Sequence, residues 1–121
     1  MKIKRVLSDA RGRSDAVSCN GMAYVVAYDP TGADGISAQT RNCLRFLDEK
    51  LAQVGSGKEA LLQATVFLSD MSMKAEMDEV WREWIGSSEN WPQRACVGVD
   101  LGDDATLIEL TVIAAQIESR E

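Results

Sequence analysis

Two charged residues sit where an apolar strand would not ordinarily carry them. Glu109 lies inside Leu-Ile-Glu-Leu-Thr-Val-Ile-Ala-Ala, and Arg94 opens Arg-Ala-Cys-Val-Gly-Val just after Trp91-Pro92. A carboxylate in such a strand must be paired, hydrogen-bonded or protonated, because burying it alone is costly. A guanidinium entering an apolar strand is a ready bidentate clamp for a carboxylate. Two readings stand side by side. Arg94 and Glu109 share a buried ion-pair network, or they serve one cleft as an anion-recognising Arg and an acid/base Glu. Strand register decides between them, since a slip of one residue moves a side chain to the other face. Cys96 stands two residues from Arg94, on the same strand face. It reads either as a thiol tuned by that cation or as a small core residue. Arg13 belongs to a basic start, with five basic groups and one acid in residues 1–13. That start reads as a charged edge strand that discourages sheet-to-sheet aggregation, or as a source of one Arg for an anionic ligand.

The rest of the chain narrows the chemistry by exclusion. Thirteen Lys and Arg stand against nineteen Asp and Glu, a net charge of −6. That balance argues against nucleic acid or anionic lipid as the main partner, since both need a basic footprint. There is no His, which removes the commonest proton shuttle near pH 7 and the commonest metal ligand. Cys19, Cys43 and Cys96 are odd in number and widely spaced. Neither a disulfide framework nor a zinc site is expected; reduced thiols in a cytoplasmic protein are. No stretch approaches a membrane span. There is no phosphate-cradling glycine loop, no Gly-x-Ser-x-Gly and no acidic calcium loop. Asp103 and Asp104 read as solvated turn acids, and Glu76, Asp78, Glu79 and Glu83 as a solvated helix face.

The elements that must position Arg94 and Glu109 come in blocks over one domain, residues 1–121. Residues 3–7 alternate weakly as a strand. Residues 15–28 read as two strands around Asn20-Gly21, a turn whose positions need positive φ. Ile36, Thr40, Cys43, Leu44, Leu47, Leu51 and Val54 form one stripe at helical period, with Asp34 expected as N-cap and Gly55 just past the end. Residues 60–68 are a strand. Met73, Met77, Val80, Trp81 and Trp84 mark a second helix from near Ser72 to Gly86. Residues 94–100 and 106–116 read as a last hairpin around Gly102-Asp103-Asp104. The pattern predicts an α+β fold, one sheet under two helices. Residues 25–28, 61–68 and 107–115 are apolar on both strand faces. A two-layer monomer would leave one face wet and its strands alternating, so other copies of the chain are expected to cover that face in a closed homo-oligomer.

These residues, taken in order, resemble the RidA (YjgF) family. The similarity runs through Arg-Ser-Asp-Ala-Val (13–17), Gln39-Thr40 with Leu44 and Leu47, and Ala-Thr-Val-Phe-Leu-Ser-Asp-Met (64–71). It continues through Met77 with Val80, Trp81 and Trp84, Pro-Gln-Arg-Ala-Cys-Val (92–97) and Ile-Glu-Leu-Thr-Val-Ile-Ala (108–114). The resemblance implies a chorismate-mutase-like fold, one mixed β-sheet packed under two helices, assembled as a homotrimer with ligand clefts between subunits. It implies hydrolysis of reactive enamines and imines, such as 2-aminoacrylate, to 2-keto acids and ammonia without a cofactor. Arg94 would grip the substrate carboxylate, Glu109 would position or activate the attacking water, and the backbone amide of Cys96 would help hold the carboxylate. The pattern departs from many members at three places. Arg13 replaces the site tyrosine, Ala27 replaces a glycine that leaves room for substrate, and Asp78 replaces an Asn of the second helix. Arg13 would then add a positive group to the cleft. The runner-up reading is a non-catalytic module that binds a small carboxylate in the same cleft.

Overall fold

Asn20 and Gly21 make the expected turn, with φ of 52° and 80°, the left-handed pair that matches the twist of a hairpin. They join β2 (Ser14–Cys19) to β3 (Met22–Ala27), paired antiparallel from Ala16↔Val25 to Cys19↔Met22. A computed structural model describes residues 2–117. Before this hairpin comes β1 (Ile3–Leu7); after it come α1 (Ile36–Gln53), β4 (Leu61–Leu68), α2 (Lys74–Ile85), β5 (Gln93–Gly98) and β6 (Ile108–Ala115). The six strands form one sheet in the order β1-β2-β3-β6-β4-β5. Every neighbouring pair is antiparallel except β4 and β5, which run parallel. The α+β architecture, one sheet under two helices, is as the sequence pattern predicts, and the mixed strand directions are as the resemblance implies.

One expectation fails in topology. Residues 94–100 and 106–116 do not form a hairpin, because β4 lies between β5 and β6 and pairs with both. The segment from 99 to 107 is a connection across the sheet end. A parallel β4–β5 pair needs a crossover, and α2 supplies it. The helix boundaries also shift. Gly35, at φ 86°, caps α1 without a side-chain bond, so Asp34 is not the cap. Asp70 instead caps a short 3-10 turn (Met71–Met73) by accepting from the Ser72 amide at 2.9 Å, and α2 follows it. Gly55 and Gly86 end the two helices at positive φ, as expected.

The core lies between the sheet and the helices. Leu47, Leu51, Met77 and Ile85 come from the helices, and Val66, Leu68, Leu110 and Ala114 from the sheet. In β6 the buried residues are Ile108, Leu110, Val112 and Ala114, and the alternate ones are half-buried. The second face of the sheet carries Tyr24, Val26 and Val97, each about two-fifths exposed. Among the described residues no helix is long and apolar enough to cross a membrane.

One buried hydroxyl in α1 has nothing to bond. Thr40 Oγ1 has no partner among the described residues, and Thr40 is 1% exposed. An unpaired buried hydroxyl is destabilising, whereas a methyl of the same shape is not. Thr40→Val is therefore expected to raise unfolding free energy by about 1 kcal/mol in urea titration. A loss of stability would show that the hydroxyl is satisfied after all.

Candidate functional site

Strand register places Arg94 and Glu109 on opposite faces of the sheet. Arg94 pairs with Ala64 and Cys96 with Val66, both on the buried helix-side face. Glu109 pairs with Phe67, one position out of phase with the buried Leu68 and Leu110. The shared Arg94–Glu109 ion pair does not form within one protomer, and the two residues do not line one cavity of it. Each lines a cavity of its own.

Arg94 stands on β5, at the sheet edge, beneath α2. Its Nη2 donates to Asp78 Oδ1 at 2.6 Å. Its Nη1 lies 3.9 Å from the Met77 sulfur, and the guanidinium carbon is 5.2 Å from the Trp81 ring centroid, within cation–π range. Lys74 Nζ holds the other Asp78 oxygen at 2.8 Å, and Arg82 Nη2 approaches it to 4.0 Å. Burial pushes the Asp78 carboxyl upward, but hydrogen bonds from Lys74 and Arg94 outweigh that and hold it below the ordinary carboxylate range. Beside the guanidinium is an open cavity of about 390 Å³, walled by Trp81, Ile85, Trp91 and Pro92 with Arg94, Asp78 and Arg82. Arg94 keeps 19% of its side chain exposed. It is thus engaged internally and still reachable.

Asp78 corrects the solvated-face reading of α2. It is 6% exposed and faces inward. Its spacing carried the signal: Asp78, Trp81 and Ile85 fall at i, i+3 and i+7, a second buried row beside the Met77–Trp84 stripe. An acid inside such a row needs a partner, and the nearest cation in the strand below is Arg94.

Glu109 faces a cavity of about 590 Å³ on the other side, walled also by Arg13, Ser14, Tyr28, Asp29, Gln39 and Thr106. Four carboxylates surround it, from Asp15, Asp29, Asp103 and Glu109. Three are committed. Asp29 accepts from the Thr31 amide and hydroxyl, the Ala33 amide and Asn42. Burial raises its pKa, and these bonds bring it below the usual range. Asp103 accepts from the amides of Ala105 and Thr106 and from the Thr106 hydroxyl, which lower its pKa. Asp15 accepts from the Tyr28 hydroxyl at 3.3 Å and lies 3.9 Å from Lys50 Nζ. Glu109 is in no ion pair among the described residues. Arg13, exposed on the loop before β2, lines this cavity with it.

Gln39 holds the rim and is nearly buried, at 3% exposure. Its Nε2 donates to the carbonyls of Ala33 and Ala105 at 2.8 and 2.7 Å, and its Oε1 accepts from the Leu107 amide at 2.9 Å. Two loops distant in sequence, 28–35 and 99–107, are fixed to α1 by one side chain.

The other two expected residues are placed differently. Ala27 is fully buried among core side chains, on the β3 face toward α1, so its methyl has no surface to offer a ligand. Cys96 is half-buried on the Arg94 face, packed against the core. Burial pushes its thiol pKa up more than Arg94 pulls it down, so it does not carry the low pKa of a reactive thiol.

Comparisons with known proteins agree on one group. The sequence profile of the family described as Endoribonuclease L-PSP matches residues 5–116. A RutC family protein of Haemophilus influenzae is 34% identical over 116 residues, covering 94% of this chain and 98% of that protein. The RutC family protein YoaB of Escherichia coli is 30% identical over 115 residues, 95% and 99% of the two chains. Among solved structures, NMB1025 of Neisseria meningitidis, a member of the YjgF protein family, superposes with a TM-score of 0.91 at 29% identity, covering 98% of both chains.

Proposed function

The chain belongs to the Endoribonuclease L-PSP family, the group that includes the RutC and YjgF proteins, and from that premise we propose that it hydrolyses reactive 2-enamines and 2-imines of amino acids to 2-keto acids and ammonia. The observation that carries this reading is a reachable Arg94 beside one cavity and, on the other face, a Glu109 outside every ion pair of the described residues. Arg94 receives the substrate carboxylate through N–H donors that Asp78 leaves free. Glu109 orients the water that attacks the imine carbon and passes a proton to the departing nitrogen. Water adds, the C–N bond breaks, and ammonia leaves; no cofactor is required.

With the two residues on opposite faces, the proposed reaction would take place between protomers. We take the working form as a homotrimer, a closed ring in which Arg94 of one copy approaches Glu109 of the next. The exposed Tyr24, Val26 and Val97 supply apolar surface for that contact. Arg13, beside Glu109 in the larger cavity, adds positive charge to each completed cleft. The functional unit is one RidA-like domain over residues 1–121, active in the cytoplasm. The ribonuclease in the family's description is not carried over, because a net charge of −6 gives no basic track for a phosphate backbone.

The test couples the purified protein to an L-amino acid oxidase, which supplies a 2-imino acid, and follows keto-acid release against the spontaneous rate. Faster release is expected, and Glu109→Gln is expected to remove about 10²-fold of it. The ion pair of Arg94 with Asp78 favours a second reading, a module that binds a small carboxylate without turnover. Thermal stabilisation by 2-keto acids with no acceleration would select it.

A further inference from the structure

Within the cleft proposed above, one internal group competes directly with any anionic ligand. Asp78 bonds Arg94 at 2.6 Å and is itself 8% exposed in its side chain. Both its oxygens are used, one by Arg94 and one by Lys74. A cavity of about 390 Å³ opens against the same guanidinium. An anion entering it meets Arg94 with part of its charge already offset by Asp78, a carboxylate that Lys74 also holds and Arg82 approaches to 4.0 Å; Asp78 lowers the positive charge the anion would otherwise meet. Like charges held close across a site cost affinity and set specificity.

We infer that Asp78 is the specificity-determining residue of this cleft: it holds Arg94 in place while keeping its affinity for simple monocarboxylates low. The apolar wall beside the charge explains what such a cleft selects. Trp81, Ile85, Trp91 and Pro92 are apolar, and Trp91 is 65% exposed. With the carboxylate contact discounted, discrimination shifts to the group that covers this wall. The ligand class is a 2-keto or 2-imino acid with a bulky apolar side chain rather than a two- or three-carbon acid. The inference rests on the reading that Arg94 receives carboxylates.

The amide variant separates charge from position. Asp78→Asn keeps an acceptor for Arg94 Nη2 and removes the negative charge. Pyruvate and 4-methyl-2-oxopentanoate are titrated into wild type, Asp78→Asn, and Arg94→Ala, and dissociation constants are read from chemical-shift changes. Wild type is expected to bind the branched acid about tenfold more tightly than pyruvate. Asp78→Asn is expected to bind pyruvate about tenfold more tightly than wild type does. A gain of affinity cannot come from damage to the fold, so it marks charge competition. Equal or weaker pyruvate binding by Asp78→Asn, with wild type binding and Arg94→Ala not binding, would overturn this inference alone. Binding that Arg94→Ala leaves intact, or none by either wild type or Asp78→Asn, would overturn the Arg94 reading as well.

Discussion

Co-assembly of Arg94→Ala chains with Glu109→Gln chains is expected to restore activity that neither variant has alone. The two side chains lie on opposite faces of one sheet, fixed by the pairings Ala64↔Arg94 and Phe67↔Glu109. A protomer cannot bring them to one substrate without turning a strand over. In the closed ring proposed above, each cleft would draw Arg94 from one copy and Glu109 from its neighbour. Equal mixing then leaves about one cleft in four with both groups intact, so co-refolded protein should recover about a quarter of wild-type turnover. Each variant refolded alone should stay at least about 10²-fold below wild type, since losing an orienting clamp or a positioned proton carrier is that costly. Mixed protein no more active than its parents would mean that the two residues do not share a cleft across an interface.

Gln39→Ala is expected to cost about 3 kcal/mol of folding free energy, because truncation removes three hydrogen bonds at once, each worth about 1 kcal/mol. The partners are Ala33 O, Ala105 O and the Leu107 N–H, now held at 2.8, 2.7 and 2.9 Å. For a chain of this size that corresponds to a fall in Tm of roughly 10 °C. The loops it fixes carry Asp29, Asp103 and Thr106, which wall the Glu109 cavity. Turnover should therefore fall with stability, and amide hydrogen exchange should quicken in 28–35 and 99–107 ahead of the core strands. A denaturation midpoint within about 1 kcal/mol of wild type would show that water replaces the amide without loss.

Local signals were readable and long-range ones were not. Asn20-Gly21, Gly55 and Gly86 announced their turns because positive φ is a property of the residue itself. The α1 stripe was plain for the same reason, since Cys43, Leu44, Leu47 and Leu51 share one buried face. Pairing of β5 with β4 rather than β6 depends on residues some thirty positions apart, and nothing in residues 99–107 records it. The candidate site divides in the same way. Arg94 and Glu109 stood out as charges in apolar runs. Their opposite orientation required the register, and Asp78 was hidden among four acids of one helix until its spacing to Trp81 and Ile85 had a strand beneath it. Ala27 shows the converse: the family pattern pointed at a position whose methyl lies in the core.

The place of β6 also governs how the molecule is made. Ile108–Ala115 is the last strand among the described residues, yet it lies between β3 and β4 and bonds to both. The β1–β3 meander and the β4–β5 pair have no direct ladder to each other without it. In folding, the early strands keep an open hydrogen-bonding edge until β6 pairs with them. Closure of the sheet therefore waits on contacts between residues far apart in sequence, the slow kind of contact to form.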